Sequence, residues 1–438
     1  MSSLLAARLQ MAISLGFHIL FAVAGMAMPL LMVLAEARYL KNGQTVYREL
    51  AQSWAKGTAI LFAVGAVSGT VLSFELGLLW PRFMEHAGPL IGMPFSLEGF
   101  AFFLEAIALG IYLYGWDRVP RRVHLASGVV VAVSGLLSGV FVVAVNAWMN
   151  TPQGFRVSAS GELVDVDLWQ AFFTPAFPTQ ATHMALAAYT SVGVAVLGIH
   201  AWRLRRYPNS AFHQAALKVV LPVVILAAPL QALSGDFAAK HLADHQPVKL
   251  AAAEALFETR AAAPLAIGGI PDVETRSLRY AIHVPYALSI LAQGDPHAVV
   301  QGLDTVPREE WPLVPWVHVS FQLMVGCGFA LVALAAWAAW LSLRKRPLAA
   351  ERRFLLAATL ASPLGLIALE AGWMVTELGR QPWIIRGVMR TADAVTPMPQ
   401  LWVSLLVSCL IYLLLGTVVA VLLVRYVLGQ ERGQLDVH

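Results

Sequence analysis

The stretch Trp373–Trp383, W-M-V-T-E-L-G-R-Q-P-W, closes an apolar run that begins near Phe354. A run that hydrophobic is predicted to be a membrane helix, yet it carries Glu370 and Glu377 seven residues apart, on one helical face. Arg380 follows, and Gln381-Pro382-Trp383 ends the helix with an aromatic anchor suited to a membrane–water interface. Ionisable groups inside a span are costly and usually face the protein interior, where they serve an ion, a proton path or a cofactor. The plainer alternative is a Glu–Arg pair that only finishes a helix.

The remaining sequence places this stretch in a membrane protein. Of 438 residues, 58% are hydrophobic and 13% charged, and the mean hydropathy is +0.67. That balance excludes a soluble globular domain and fits a polytopic all-α membrane protein. Nine apolar runs reach spanning length: about 11–36, 57–79, 95–115, 124–147, 181–202, 215–234, 316–343, 353–378 and 401–426. The sixth, with Pro222 and Pro229, is predicted to be the least regular. The organisation is therefore helices one to six over 1–234, a loop over 235–315, and helices seven to nine with a tail over 316–438. The first run is read as an uncleaved span rather than a signal peptide, because it is too long and its positive charge lies mostly after it. Cys327 and Cys409 both lie in apolar runs and form no disulfide framework. The net charge of +4 carries no signal for nucleic acid.

Orientation follows from Lys and Arg. One side holds Arg38, Lys41, Arg48, Lys56, then Arg118, Arg121, Arg122, then Arg203, Arg205, Arg206, Lys218, then Arg344, Lys345, Arg346, Arg352, Arg353, and finally Arg425 and Arg432. Outside the long loop, the other side holds only Arg8, Arg82, Arg156, Arg380, Arg386 and Arg390. Long loops weigh little in topology, so the N-terminus is predicted outside and the C-terminus in the cytoplasm.

Depth then makes the polar residues informative. His18 falls in the outer half of span one, Glu98 near the outer start of span three, and His183 opens span five. Met324 lies a turn or two inside span seven, and Glu377 closes span eight. Glu105 and Glu370 are predicted deeper, near the bilayer middle, and Glu75 and His86 at the interface. Singly, a histidine here is a ligand or proton carrier only about as often as not, and a methionine is ordinarily packing. Together at one height, two His, one Met and several Glu form a ligand set for iron porphyrin. Zinc or copper is less apt, since the Cys and paired-His spacings they favour are missing. In the long loop, Lys249–Glu258 is helix-forming. It reads either as an amphipathic helix lying at the interface or as a substrate lid whose Lys249 and Glu254 manage two hydroxyl protons.

Several motifs carry a family resemblance over nearly the whole chain: G-W-M-V-T-E-L-G-R-Q-P-W (Gly372–Trp383), S-F-E-L-G-L-L-W-P-R-F-M (Ser73–Met84), E-G-F-A-F-F-L-E (Glu98–Glu105), N-A-W-M-N-T-P (Asn146–Pro152) and the Lys249–Glu254 element. The sequence resembles subunit I of cytochrome bd-type quinol oxidases, in the branch with a short outer loop. R-G-V-M-R-T-A-D-A-V-T-P (Arg386–Pro397) is similar to the cyanide-insensitive subgroup.

The resemblance implies a subunit of the bacterial cytoplasmic (inner) membrane that oxidises quinol at the outer face. It would reduce O2 to water with cytoplasmic protons and without a pump. His183 and Met324 would hold a low-spin heme b. His18 and Glu377 would each hold one of two high-spin hemes, one of b type and one heme d or a third heme b. Glu98 and Glu105 would serve catalysis and proton delivery, Lys249 and Glu254 would bind quinol, and Trp373 and Arg380 would support the ligand set. Gln322 stands where some members have Arg. A second membrane subunit is implied, with a small single-span subunit as a further candidate partner. The alternatives are a b-type cytochrome subunit of a quinol dehydrogenase and a proton-coupled secondary transporter; the latter is disfavoured by the odd span count and the lack of matching interrupted helices.

Overall fold

The computed structural model describes residues 1–159 and 163–428; Arg432 lies outside them. The helices are α1 (Ser3–Asn42), α2 (Thr45–Leu79), α3 (Pro81–Tyr114), α4 (Arg121–Asn150), α5 (Leu168–Phe172), α6 (Phe177–Arg206) and α7 (Ala211–His245). They continue with α8 (Pro247–Glu254), α9 (Ala287–Gln293), α10 (Val314–Leu343), α11 (Arg352–Ala361), α12 (Leu364–Leu378), α13 (Thr391–Ala394) and α14 (Leu401–Leu423). Among the described residues, nine helices are long and apolar enough to cross a membrane, with α11 and α12 together making the eighth. Each predicted run is thus a helix, but the helices overrun the runs. At 1.5 Å per residue the 40 residues of α1 reach about 60 Å, twice the hydrocarbon thickness, so both ends project into polar surroundings.

Helix interruption falls elsewhere than expected. α7 continues through Pro222 and Pro229 to His245, so the long loop starts at residue 246 rather than 235. The break lies in the eighth span, at Ser362–Pro363 between α11 and α12. There the backbone of α6 comes too close for side chains: a Cβ on Gly198 would collide with Ser362, and one on Gly365 would collide with Ser191. Neighbouring helices and small residues absorb the lost backbone bonds at both places.

α1 and α6 are the most buried spans, while α2 and α14 keep most of their surface open. α1 packs against α2, α4, α6 and α14. One large core joins the halves away from the long loop, with Leu31, Met32, Leu50, Leu197, Leu204 and Phe354 fully buried. A second caps the other end around Trp148, Phe83, Leu90, Ile91 and Ile385. Over that end lies the loop of residues 246–313. Its antiparallel pairs nest within one another: Arg260–Ala261 with Val299–Val300, Leu265–Ile267 with Ile282–Val284, and Ile270–Asp272 with Ser277–Arg279.

The first turns of α10 fix this loop. His318, fully buried, sets its two ring nitrogens 2.8 Å from the Ala253 carbonyl and 3.1 Å from that of Gly268. Gln322 accepts from the Gly268 amide at 2.9 Å and donates to the Ala266 carbonyl at 3.0 Å. Gln322, where some members have Arg, is therefore a loop clamp. α8 does not lie on an interface as an amphipathic helix. Every residue from Lys249 to Glu254 is buried in protein, and the helix stops at Ala255, which adopts a left-handed conformation, leaving Glu258 exposed.

Candidate functional site

α4 serves as a ruler through the bundle, because one succession of its residues meets functional side chains from four other elements. Near its start, His124 and Glu36 of α1 form a buried pair at 2.8 Å. A Cβ on Gly135 would sit 3.0 Å from Glu105 Oε1. Ser138 donates to Glu98 at 3.2 Å. Asn146 donates to Glu377 Oε1, and Asn150 accepts from Lys249 Nζ. From Gly135 to Asn150 the rise is about 22 Å. Glu105, Glu98, Glu377 and Lys249 therefore stand in that order along one helix.

α1 gives the matching height of His18. Gly25 abuts Glu105, with a built Cβ 3.6 Å from Oε1. His18 lies seven residues toward the N-terminus of α1, as Glu98 lies seven residues before Glu105 on the parallel α3. Both are thus about 10 Å above the Glu105 level. Glu370 behaves otherwise. Its Oε2 lies 3.4 Å from a Cβ built on Gly16, nine residues and about 13 Å from the Gly25 level, so it does not share the depth of Glu105. Glu75 is not interfacial either: it is 5% exposed and accepts from Gln10 at 2.8 Å and Ser408 at 3.0 Å, knotting α1, α2 and α14. His86 is half-buried.

His183 and Met324 lie on a closed ring of four helices, α6 against α7, α7 against α10, α10 against α12, and α12 against α6. His183 Nδ1 is 2.9 Å from Ser234 Oγ, whose own proton goes to the Gln231 carbonyl. The hydroxyl must then accept from Nδ1–H, which puts the imidazole lone pair on Nε2; the Gln231 amide lies 3.1 Å from it. His18 repeats the device. Its Nδ1 is 3.0 Å from Ser68 Oγ, and that hydroxyl donates to the Val64 carbonyl. Metal-ligating histidines are commonly oriented in this way.

The donor set matches what iron porphyrin requires. Two imidazoles present Nε2 lone pairs, and glycines flank them. A Cβ on Gly69 would lie 3.0 Å from His18 Cε1, and one on Gly235 3.5 Å from His183 Cε1. Gly372 likewise leaves room at Met324, whose Sδ would be 3.0 Å from its Cβ. Bare backbone beside His18, His183 and Met324 would let a flat macrocycle approach. Glu377 is held by Asn146 and by Arg380 Nη2 at 2.6 Å, while buried Arg380 Nε and Nη1 have no acceptor. Two such N–H groups suit an added carboxylate, such as a heme propionate. Trp373 packs half-buried against the large core on the same helix. The residues fit the group. No cluster of three or more His, Cys, Asp and Glu capable of holding a bare metal ion occurs among the described residues.

Lys249 lines a cavity of about 180 Å³ with Asn150, Arg380, Gln381, Trp383 and Arg386, directly above Glu377. Burial, with the Arg380 and Arg386 guanidiniums, holds the Lys249 amine well below the ordinary lysine range, and Glu377 partly opposes this. Glu254 is not in that cavity. Five residues along α8 turn it roughly 140° from Lys249. Burial alone raises its carboxyl to about 8, and its Oε2 has no partner. The structure keeps the two residues in one buried helix without bringing them together. Residues missed in the sequence are Ser68, Ser234, Gln231, Asn146 and Asn150. The only legible sign was the N-x3-N spacing of the last two, which stacks them on one helical face with Asn150 donating to Asn146 at 2.8 and 3.0 Å.

Comparison with known proteins supports the same assignment. The family model for cytochrome bd terminal oxidase subunit I matches residues 6–430. A Bacillus subtilis (strain 168) protein named "Putative cytochrome bd menaquinol oxidase subunit I" is 37% identical over 431 residues, covering 97% of each chain. The cytochrome bd-II ubiquinol oxidase subunit 1 of Escherichia coli (strain K12) is 28% identical over 458 residues, covering 88% of each. The solved structure of bd oxidase from Geobacillus thermodenitrificans superposes with a TM-score of 0.91 at 40% identity, covering 97% of this chain and 98% of that one. With a transmembrane bundle, a donor set fitted to heme and matches over nearly its full length, the chain belongs to the cytochrome bd terminal oxidase subunit I family.

Proposed function

We propose that this chain is the heme-bearing subunit of a terminal quinol oxidase of the bacterial cytoplasmic membrane. It oxidises quinol at the outer face and reduces O2 to water with protons drawn from the cytoplasm, without pumping. Family membership separates it from the transporter and quinol dehydrogenase alternatives, and implies heme cofactors and a partner subunit. The observation that carries the reading is the order of groups along α4, from Glu105 through Glu98 and Glu377 to Lys249.

The loop side is the outer side, because the opposite ends of the spans carry most of the Lys and Arg. Quinol docks in the cavity at Lys249. The buried amine, held toward its neutral form, accepts a hydroxyl proton there, and Arg380 and Arg386 favour the oxygen as it gains negative charge. Glu254, on the other face of α8, takes part as a buried carboxyl that is mostly protonated at neutral pH. When bound, the hemes carry electrons from quinol to dioxygen. His183 and Met324 would hold the low-spin heme b; His18 and Glu377 would hold the two high-spin hemes, one of b type and one of d or b type. Glu105 and Glu98 pass protons outward along α4, with Ser138 beside them, while quinol protons leave on the loop side. Opposite release and uptake separate charge without a pump.

His183→Ala tests the assignment. It is expected to remove the low-spin b absorbance and to stop quinol-driven oxygen uptake. A full heme complement in that variant overturns it.

A further inference from the structure

At the end of the bundle opposite the long loop, α6 and α11 enclose a groove of about 560 Å³ lined by Arg205, Arg206, Arg352, Arg353, Trp202 and Leu356. That volume is within the roughly 300–1,000 Å³ typical of small-ligand sites. Four arginines line it. Among the described residues none of the four has an acidic partner, and the adjacent carboxylate, Glu351, is bonded to Arg346 at 3.3 Å. Arg352 and Arg353 also occupy the first turn of α11, where the helix dipole disfavours cations. The Arg206 guanidinium lies 4.6 Å from the centre of the ring of Trp202, which also lines the groove. Such a cluster is electrostatically incomplete without an anion.

What continues from the groove decides which anion. On α6, Arg206, Trp202 and Ile199 follow one another at helical spacing; on the antiparallel α11, Arg353, Leu356 and Leu360 do the same. Ile199 is 42% exposed, Leu356 41% and Leu360 68%, so both stripes run from charge at the helix ends to bare hydrocarbon toward the bilayer middle. A soluble anion would use only the upper part of this surface. We propose that the α6–α11 groove binds an anionic phospholipid of the leaflet opposite the long loop, its phosphate between the four arginines and its acyl chains along Ile199, Leu356 and Leu360. Arg pairs phosphate oxygens bidentately, and basic pockets between spanning helices favour such headgroups.

The test compares the purified oxidase complex with its R205Q/R206Q/R352Q/R353Q variant by native mass spectrometry after detergent washing. The wild type is expected to retain an anionic phospholipid that the variant loses, with the heme absorbance of both unchanged. Rebinding from phosphatidylglycerol vesicles should weaken roughly fivefold for each guanidinium removed, and phosphatidylcholine vesicles should restore nothing. If the fourfold variant does not assemble, R352Q/R353Q, confined to the exposed start of α11, carries the same comparison. R344Q/K345Q, whose charges lie outside the groove, should keep the lipid. Equal retention in wild type and groove variants overturns the proposal, as does equal loss in R344Q/K345Q. Displacement of the lipid by millimolar inorganic phosphate would make this a free-anion site and would also overturn it.

Discussion

Replacing Glu254 with Gln should change how stability depends on pH. The Glu254 carboxyl is buried at the end of α8, lacks a partner at Oε2, and is raised from 4.5 to about 8 by desolvation. Between those two values the folded protein keeps a proton that the unfolded chain releases. Stability therefore falls as pH rises through that window, by about 1.4 kcal/mol per pH unit, and levels off above about pH 8. At pH 7 the accumulated cost is about 3 kcal/mol. Glu254→Gln keeps the shape and removes the titration, so the variant should be more stable than the wild type at pH 7 and the two should converge near pH 5. Apparent melting followed by tryptophan fluorescence from pH 5 to 9 checks this. Parallel pH curves for the two proteins would show that the carboxyl is solvated or paired, and would refute the reasoning.

Three further outcomes follow from single contacts. Lys249→Met keeps the length of the side chain but removes its bond to Asn150, and should raise the quinol KM by about tenfold in oxygen-uptake assays, the worth of one buried hydrogen bond. Gly372→Val pushes a side chain onto Met324 Sδ, already 3.0 Å from a Cβ at that position, and should shift or abolish the low-spin b band while sparing the high-spin bands. Gln322→Ala frees the Gly268 amide and the Ala266 carbonyl, each costing about 1–3 kcal/mol if left unpaired. Hydrogen exchange at Gly268 should speed up before any loss of heme absorbance.

Spanning helices were legible because hydrophobicity over some twenty residues is a local property, and each predicted run falls, to within one residue, inside one of the nine spanning segments, the eighth of them broken in two. Motif resemblance also identified the family from Gly372–Trp383 and its companions. Local reading failed where neighbours decide. α7 stays continuous through two prolines, while the break falls at Ser362–Pro363, where the α6 backbone presses in. α8 reads as an interfacial helix because its pattern is mildly amphipathic, yet packing buries every residue from Lys249 to Glu254. Glu370 and Glu105 looked equally deep from their distance along each run, and only contacts with Gly16 and Gly25 separate them.

The sequence by itself determined the number of spans and the chemical types of the donors, since transfer of side chains from water to hydrocarbon is nearly additive along a chain. Only the tertiary structure decided which donors share a height and what orients them. The serines behind His18 and His183, the two asparagines of α4 beside Glu377 and Lys249, and the glycines that leave room at His18, His183 and Met324 act through close contacts. Such contacts fall off within a few ångströms and join residues far apart in the chain, so no window of sequence contains them.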